Sequence, residues 1–198
     1  MLHNKSLIIK TVLIFLSAYL ITLLLWIQIK DTYGYVITAA ASKLVAEVKN
    51  VRVEKMWQEK GIVYASFCRS MRKEDLVVDL AFKTSSYTFN VPLTLSIMAS
   101  LCLFITRRRR AYAEAVLLLV VVHFIYVFSL GAEHLTVIFM GKGIEGISRL
   151  KLFLFQFLWG FTDNMLIRCE PFLIGFYMYV RFKKQDFKKP IPVKIPRR

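Results

Sequence analysis

The sequence predicts a membrane α-helical protein, four transmembrane helices with a small extracytoplasmic α+β domain between helices 1 and 2. Three observations carry that expectation. Of the 198 residues, 57% are hydrophobic, well above the roughly 45–50% of soluble domains. The apolar residues come in long uncharged runs. The 28 Lys and Arg, against 13 Asp and Glu for a net charge of +15, collect largely at the ends of those runs. A soluble protein this basic would suggest nucleic acid. The runs make a bilayer the better explanation, and no nucleic-acid partner is expected. Four spans with their connections use nearly the whole length, which excludes a large soluble catalytic domain.

The first run covers residues 11–29, TVLIFLSAYLITLLLWIQI, between Lys10 and Lys30. At about 1.5 Å per residue it matches a hydrocarbon core of about 30 Å. A cleaved signal peptide would have a shorter apolar region with small residues directly behind it. Here Trp26, Gln28 and Lys30 occupy that place, so residues 1–30 read as a retained signal-anchor helix. The second run, residues 87–106, ends at Arg107, Arg108, Arg109 and Arg110, with Pro92 near its start, where a missing N–H costs least. The third, residues 115–132, is interrupted only by His123. The fourth, residues 150–180, holds Lys151, Asp163, Arg168, Glu170 and Pro171. It is too long for one upright crossing, so it reads as an interfacial helix over 150–162 followed by a span over 164–180.

Charge sets the orientation. The segments before residue 11, between spans two and three, and after residue 180 carry 14 basic residues and only Glu114 and Asp186 as acids. The long loop over 30–88 has ten basic and seven acidic residues. By the positive-inside rule both termini are cytoplasmic. The four arginines read as a stop signal at the membrane surface that also contacts anionic lipids. The basic tail, 182–198, with three prolines in its last nine residues, reads as extended and surface-attracted.

Residues 31–88 read as the outer domain. Val36, Ile37, Ala40, Leu44 and Val48 recur at helical spacing and predict an amphipathic helix continuing out of the membrane. Alternation follows. Strands around Val51–Trp57 and Ile62–Phe67 flank the turn Gln58-Glu59-Lys60-Gly61, a third strand covers 76–83, and a short one is expected at Tyr87 and Phe89. The domain is either a platform for protein contact or a packed cap over the helices. It offers no metal-ligand spacing, and no cofactor is expected.

Three cysteines, Cys68, Cys102 and Cys169, make no disulfide framework. A nucleophilic Cys68 would need a base such as His134, and nothing in the sequence brings the two together. The ionisable residues inside the spans say more, because charge at membrane depth is costly and usually paired. Counting from the cytoplasmic edges, His123 and Arg168 lie at about 20 Å and Glu170 at about 17 Å. Arg168 and Glu170 are two apart and face different sides of their helix, whereas a contact from His123 to either is allowed. With Asp163 these residues form the candidate site, as a clamp between helices or a partner contact. The alternative is a small oligomeric transporter using His123, Arg168 and Glu170.

The order of parts adds a resemblance. The segment Tyr87-Thr88-Phe89-Asn90-Val91-Pro92-Leu93, the arginines at 107–110 and the Glu170-Pro171 region resemble the exosortase H-associated membrane proteins of Gram-negative bacteria. The resemblance implies an accessory to a multi-span sorting transpeptidase that processes exported proteins at the bacterial inner membrane. Exosortases themselves have more spans and use Cys, Arg and His on membrane segments. No such arrangement occurs here, so the expectation is a non-enzymatic accessory that docks on a membrane enzyme or its substrate.

Overall fold

A computed structural model describes residues 2–71, 75–144 and 149–183. The basic tail expected beyond residue 183 lies outside the described residues. The fold is mostly helical with one three-stranded sheet: α1 (Leu2–Lys49), β1 (Arg52–Glu59), β2 (Ile62–Arg69), β3 (Leu76–Lys83), α2 (Ser85–Thr88), α3 (Val91–Leu101), α4 (Arg108–Gly141), α5 (Arg149–Phe161), a π-helical turn (Thr162–Leu166) and α6 (Ile167–Phe182).

Side-chain contacts fix the directions of the helices. Tyr33 meets His123 and Lys49 meets Thr136, so α1 and α4 run the same way. His123 meets Glu170 and Glu114 meets Arg181, so α6 runs against α4. Asn90 meets Ile167 and Ile105 bridges to Lys183, so α3 runs beside α6 in the same sense. The bundle therefore goes up, down, up, down. Among the described residues two helices, α1 and α4, are long and apolar enough to cross a bilayer, not the four expected.

The difference has local causes. Helix α3 has 11 residues and measures about 16 Å, half a hydrocarbon core. Its chain peels away after Leu101, whose carbonyl takes the amides of Phe104 and Ile105, and Thr106 N–H then donates to Phe182 O. The strand expected at Tyr87 and Phe89 is instead the single turn α2, in which Thr88 N–H and Oγ1 both return to Thr84 O. The long fourth run is interrupted at Thr162–Leu166, close to the expected break. There the Ile167 amide reaches back to Thr162 O, one residue further than an α-helical bond.

The sheet is an antiparallel meander in the order β1-β2-β3. Lys60 and Gly61, at φ +49° and +75°, close the first hairpin as a two-residue turn with both residues left-handed, the twist that matches right-handed strands. One face, with Ala65, Phe67, Leu80 and Phe82, packs into a core shared with Ile37, Ala41 and Val45 of α1 and Leu135 and Phe139 of α4. The other carries Trp57 stacked on Tyr64 at 5.0 Å and Ser66 donating to Asp79.

The buried stripe on the C-terminal half of α1 differs from the one expected. Ile37 is buried, but Val36, Ala40, Leu44 and Val48 are exposed, and Ala41, Ser42, Val45 and Ala46 face inward. Small residues allow the sheet and α4 to come close. At Gly131 of α4 an added Cβ would stand 3.2 Å from Val45. A second core sits at the other end, with Trp26, Val91, Met98, Leu119, Ile174 and Met178.

Candidate functional site

Between the two apolar cores lies a polar layer built from three helices. His123 of α4 and Glu170 of α6 are buried, at 0% and 1% exposure, with Nε2 and Oε1 3.2 Å apart. The contact is within ion-pair reach, yet no aligned hydrogen bond reaches His123 Nε2 or either carboxylate oxygen. On the other side of the imidazole, Nδ1 shares a 2.7 Å hydrogen bond with the hydroxyl of Tyr33 on α1. Tyr33, the imidazole and the carboxylate thus stand in one row that links α1, α4 and α6.

Aromatic rings close this layer. Tyr33 and Tyr87 stand edge-on to the imidazole at 5.6 and 5.7 Å, Trp26 meets Tyr33 at 5.1 Å, and Tyr126 bridges Tyr87 and Trp159. The Tyr87 hydroxyl donates to Gly34 O at 3.1 Å and also meets Thr38 Oγ1 at 3.1 Å. Beside Tyr33, an apolar cavity of about 180 Å³ opens between α1, α3 and α4, walled by Trp26, Leu95 and Leu119 among others. Below it, the Asn90 side-chain amide donates to Ile167 O. Pro171 cannot supply the helical N–H to that carbonyl, so an amide from α3 takes its place.

Depth counting along the sequence puts His123, Arg168 and Glu170 at nearly one level and allows His123 to meet either of the others; in the structure it meets Glu170. Arg168 is exposed on α6 and makes no hydrogen bond or ion pair among the described residues. Asp163, in the π-turn, is half-buried and accepts from Tyr126 OH at 3.4 Å. It does not join the His–Glu contact. The sequence reading missed Tyr33, Tyr87 and Asn90. Tyr33 lies just past the first apolar run, where an interfacial aromatic is ordinary. Asn90 could have been found from Pro171, which requires a substitute donor somewhere in the bundle.

Arg107, Arg108, Arg109 and Arg110 form an exposed rim at the opposite end, around Ile105 and Thr106. Arg107 is left-handed at φ +49° and no acid occupies the first turn of α4, so four positive charges face the positive end of the helix macrodipole. Among the described residues Glu114 offsets them, bound to Arg110 at 2.9 Å and to Arg181 at 3.3 Å. Cys68 is buried beside Arg52 and Asp75, and no hydrogen bond joins it to His134, which pairs with Glu133. Comparison with known proteins finds no family model, no curated protein and no solved structure that matches this chain.

Proposed function

We propose that this chain is a non-enzymatic integral accessory protein of the bacterial inner membrane, serving an exosortase-type protein-sorting system by docking to a membrane enzyme or its exported substrates. In this reading α1 and α4 make full crossings, α3 and α6 complete the membrane layer as shorter segments running the opposite way, and both termini are cytoplasmic. The sheet with the outer halves of α1 and α4 stands outside. The arginine rim lies on the anionic cytoplasmic leaflet, each basic residue contributing about 1 kcal/mol there.

One observation carries the docking reading: the intramembrane His–Glu pair is closed in by aromatic rings and neighbouring helices. A transporter or enzyme needs such groups to line a path or a cleft. Here they tie α4, α6 and α1 together, which suits a scaffold that presents surfaces. The test is a gentle detergent pull-down of tagged protein from its native membrane. Recovery of a multi-span sorting enzyme in near-equal amount supports the proposal. Recovery of the protein alone, as a homo-oligomer, overturns it and moves transport through His123, Arg168 and Glu170 ahead.

A further inference from the structure

Resting on the membrane reading above, we infer that the cavity between α1, α3 and α4 is a lipid site, which takes one hydrocarbon chain of an outer-leaflet phospholipid beneath the Tyr33–His123–Glu170 row. The cavity measures about 180 Å³, close to the roughly 150 Å³ of an apolar cavity that stays dry and holds a benzene-sized guest. Its walls are Trp, Tyr, Leu and Val side chains. Tyr33 brings its ring to the cavity, while its hydroxyl is engaged by His123 Nδ1 at 2.7 Å. A water needs two to four polar partners and finds none among these walls. A polar ligand finds no group there to fix its orientation. The chemistry this cavity accepts is bare hydrocarbon.

Position decides where that hydrocarbon comes from. Trp26 is three residues inside the end of the apolar run over 11–29, and Tyr33 lies four residues past it. The cavity therefore covers about 10 Å along α1, at the outer edge of the hydrocarbon layer, the level of the upper carbons of an outer-leaflet chain. Its mouth is Val116 of α4, which is 47% exposed, whereas Trp26 and Leu119 are buried at 8% and 3%. Leu117 and Val121 beside the mouth are exposed as well. The surface around Val116 is thus apolar, and in a bilayer acyl chains lie directly against it. A chain that bends in past Val116 gives the walls contact atoms that they otherwise lack, and it leaves no polar group stranded.

The test is quenching of Trp26 by brominated lipid. Trp57→Phe and Trp159→Phe in the full-length chain leave Trp26 as the sole tryptophan. This chain is reconstituted in vesicles of dioleoylphosphatidylcholine, or of phosphatidylcholine with bromine on carbons six and seven of one chain. Because Trp26 is buried from the bundle surface, bromine reaches it only when a chain enters the cavity. The expected result is loss of most of its emission in the brominated vesicles, and no loss to aqueous iodide. Val116→Phe at the mouth and Val120→Phe inside each restore most of that emission, whereas Leu117→Phe, beside the mouth, restores none. Unfolding midpoints equal to the parent's show that the plugged chains are folded; if both plugs unfold the chain, the bromine and iodide results alone decide. Emission insensitive to bromine, quenching that folded plugs leave unchanged, or quenching by iodide instead overturns the inference. Flotation separates the two readings. A chain that floats with the vesicles without bromine quenching keeps the membrane reading and loses the lipid site, and a chain that does not float loses both.

Discussion

The side-chain amide of Asn90 donates at 2.5 Å to the carbonyl of Ile167, the one carbonyl in α6 that Pro171 leaves without its helical donor. Asn90 and Pro171, far apart in sequence, thus form one structural unit. Asn90 is the N-cap of α3 and makes no cap bond of its own, while its side-chain amide is engaged across the bundle. Thr94 N–H and Oγ1 take the Asn90 carbonyl at 2.9 and 3.1 Å, which holds the start of α3 in register with α6.

Replacing Asn90 by Ala strands a buried carbonyl and should cost about 1–3 kcal/mol. In a Pro171→Ala background, position 171 regains an N–H and the same replacement should cost clearly less. A double-mutant cycle on unfolding free energy in mild micelles checks this. Equal costs in the two backgrounds would contradict the pairing.

Removing one member of the His123–Glu170 contact, by His123→Leu or Glu170→Leu, leaves a buried polar group alone and should destabilise by about 3–5 kcal/mol. The double replacement should cost less than either single one. Additive losses would mean that the two side chains do not act together.

Tyr33→Phe keeps the ring against Trp26 and His123 and deletes only the hydroxyl. The expected loss is about 0.5–1.5 kcal/mol, with a shift of the His123 Nδ1 resonance in nitrogen NMR. An unchanged resonance would remove Tyr33 from the polar layer.

Gly34 of α1 passes directly against Thr84, the residue between β3 and α2. An added Cβ would stand 2.2 Å from Thr84 Cγ2. Gly34→Ala should therefore cost about 1–3 kcal/mol through overpacking, and Thr84→Ala should recover much of that loss, because the closest atoms belong to the Thr84 side chain. A similar loss in both backgrounds would argue that the helix backbone, not the contact, is at fault.

Lys60 sits in left-handed conformation at the first position of the hairpin turn. Asn tolerates that region better, and Asn-Gly is a strong signal for this turn. Lys60→Asn should raise stability by about 0.5 kcal/mol, seen as slower amide exchange in β1 and β2. Faster exchange would contradict the turn.

Much of this architecture was legible in the residues. The run over 11–29 and the helical repeat over 36–48 join in one helix, and strand alternation with Gly61 located the hairpin. Matched depth left His123 free to meet Arg168 or Glu170, and packing selected Glu170. Periodicity failed where two faces were both apolar. On α1 it favoured Val36, Ala40, Leu44 and Val48, whereas Ala41, Ser42 and Val45 are the ones that face the core. It also failed in residues 87–106, which carry no charge from end to end. Apolarity alone does not tell a helix from the turns at 102–105, which depend on Phe182 O as acceptor for Thr106. The third partner of the polar layer, Tyr33, carries no mark in sequence until α1 and α4 are set side by side.

The shared core of the sheet bears on how the chain comes to be assembled. Phe67, Leu80 and Phe82 rest against Leu135 and Phe139, which follow them by some fifty to seventy residues. If synthesis and insertion proceed from the N-terminus, the strands are delivered before the helix that covers them. Until α4 arrives, the hairpins present an open apolar face, the state most exposed to proteases and to pairing with other chains. Quality control acting on this protein would thus read the arrival of α4, and truncation before it would yield a sheet with half of its shelter missing.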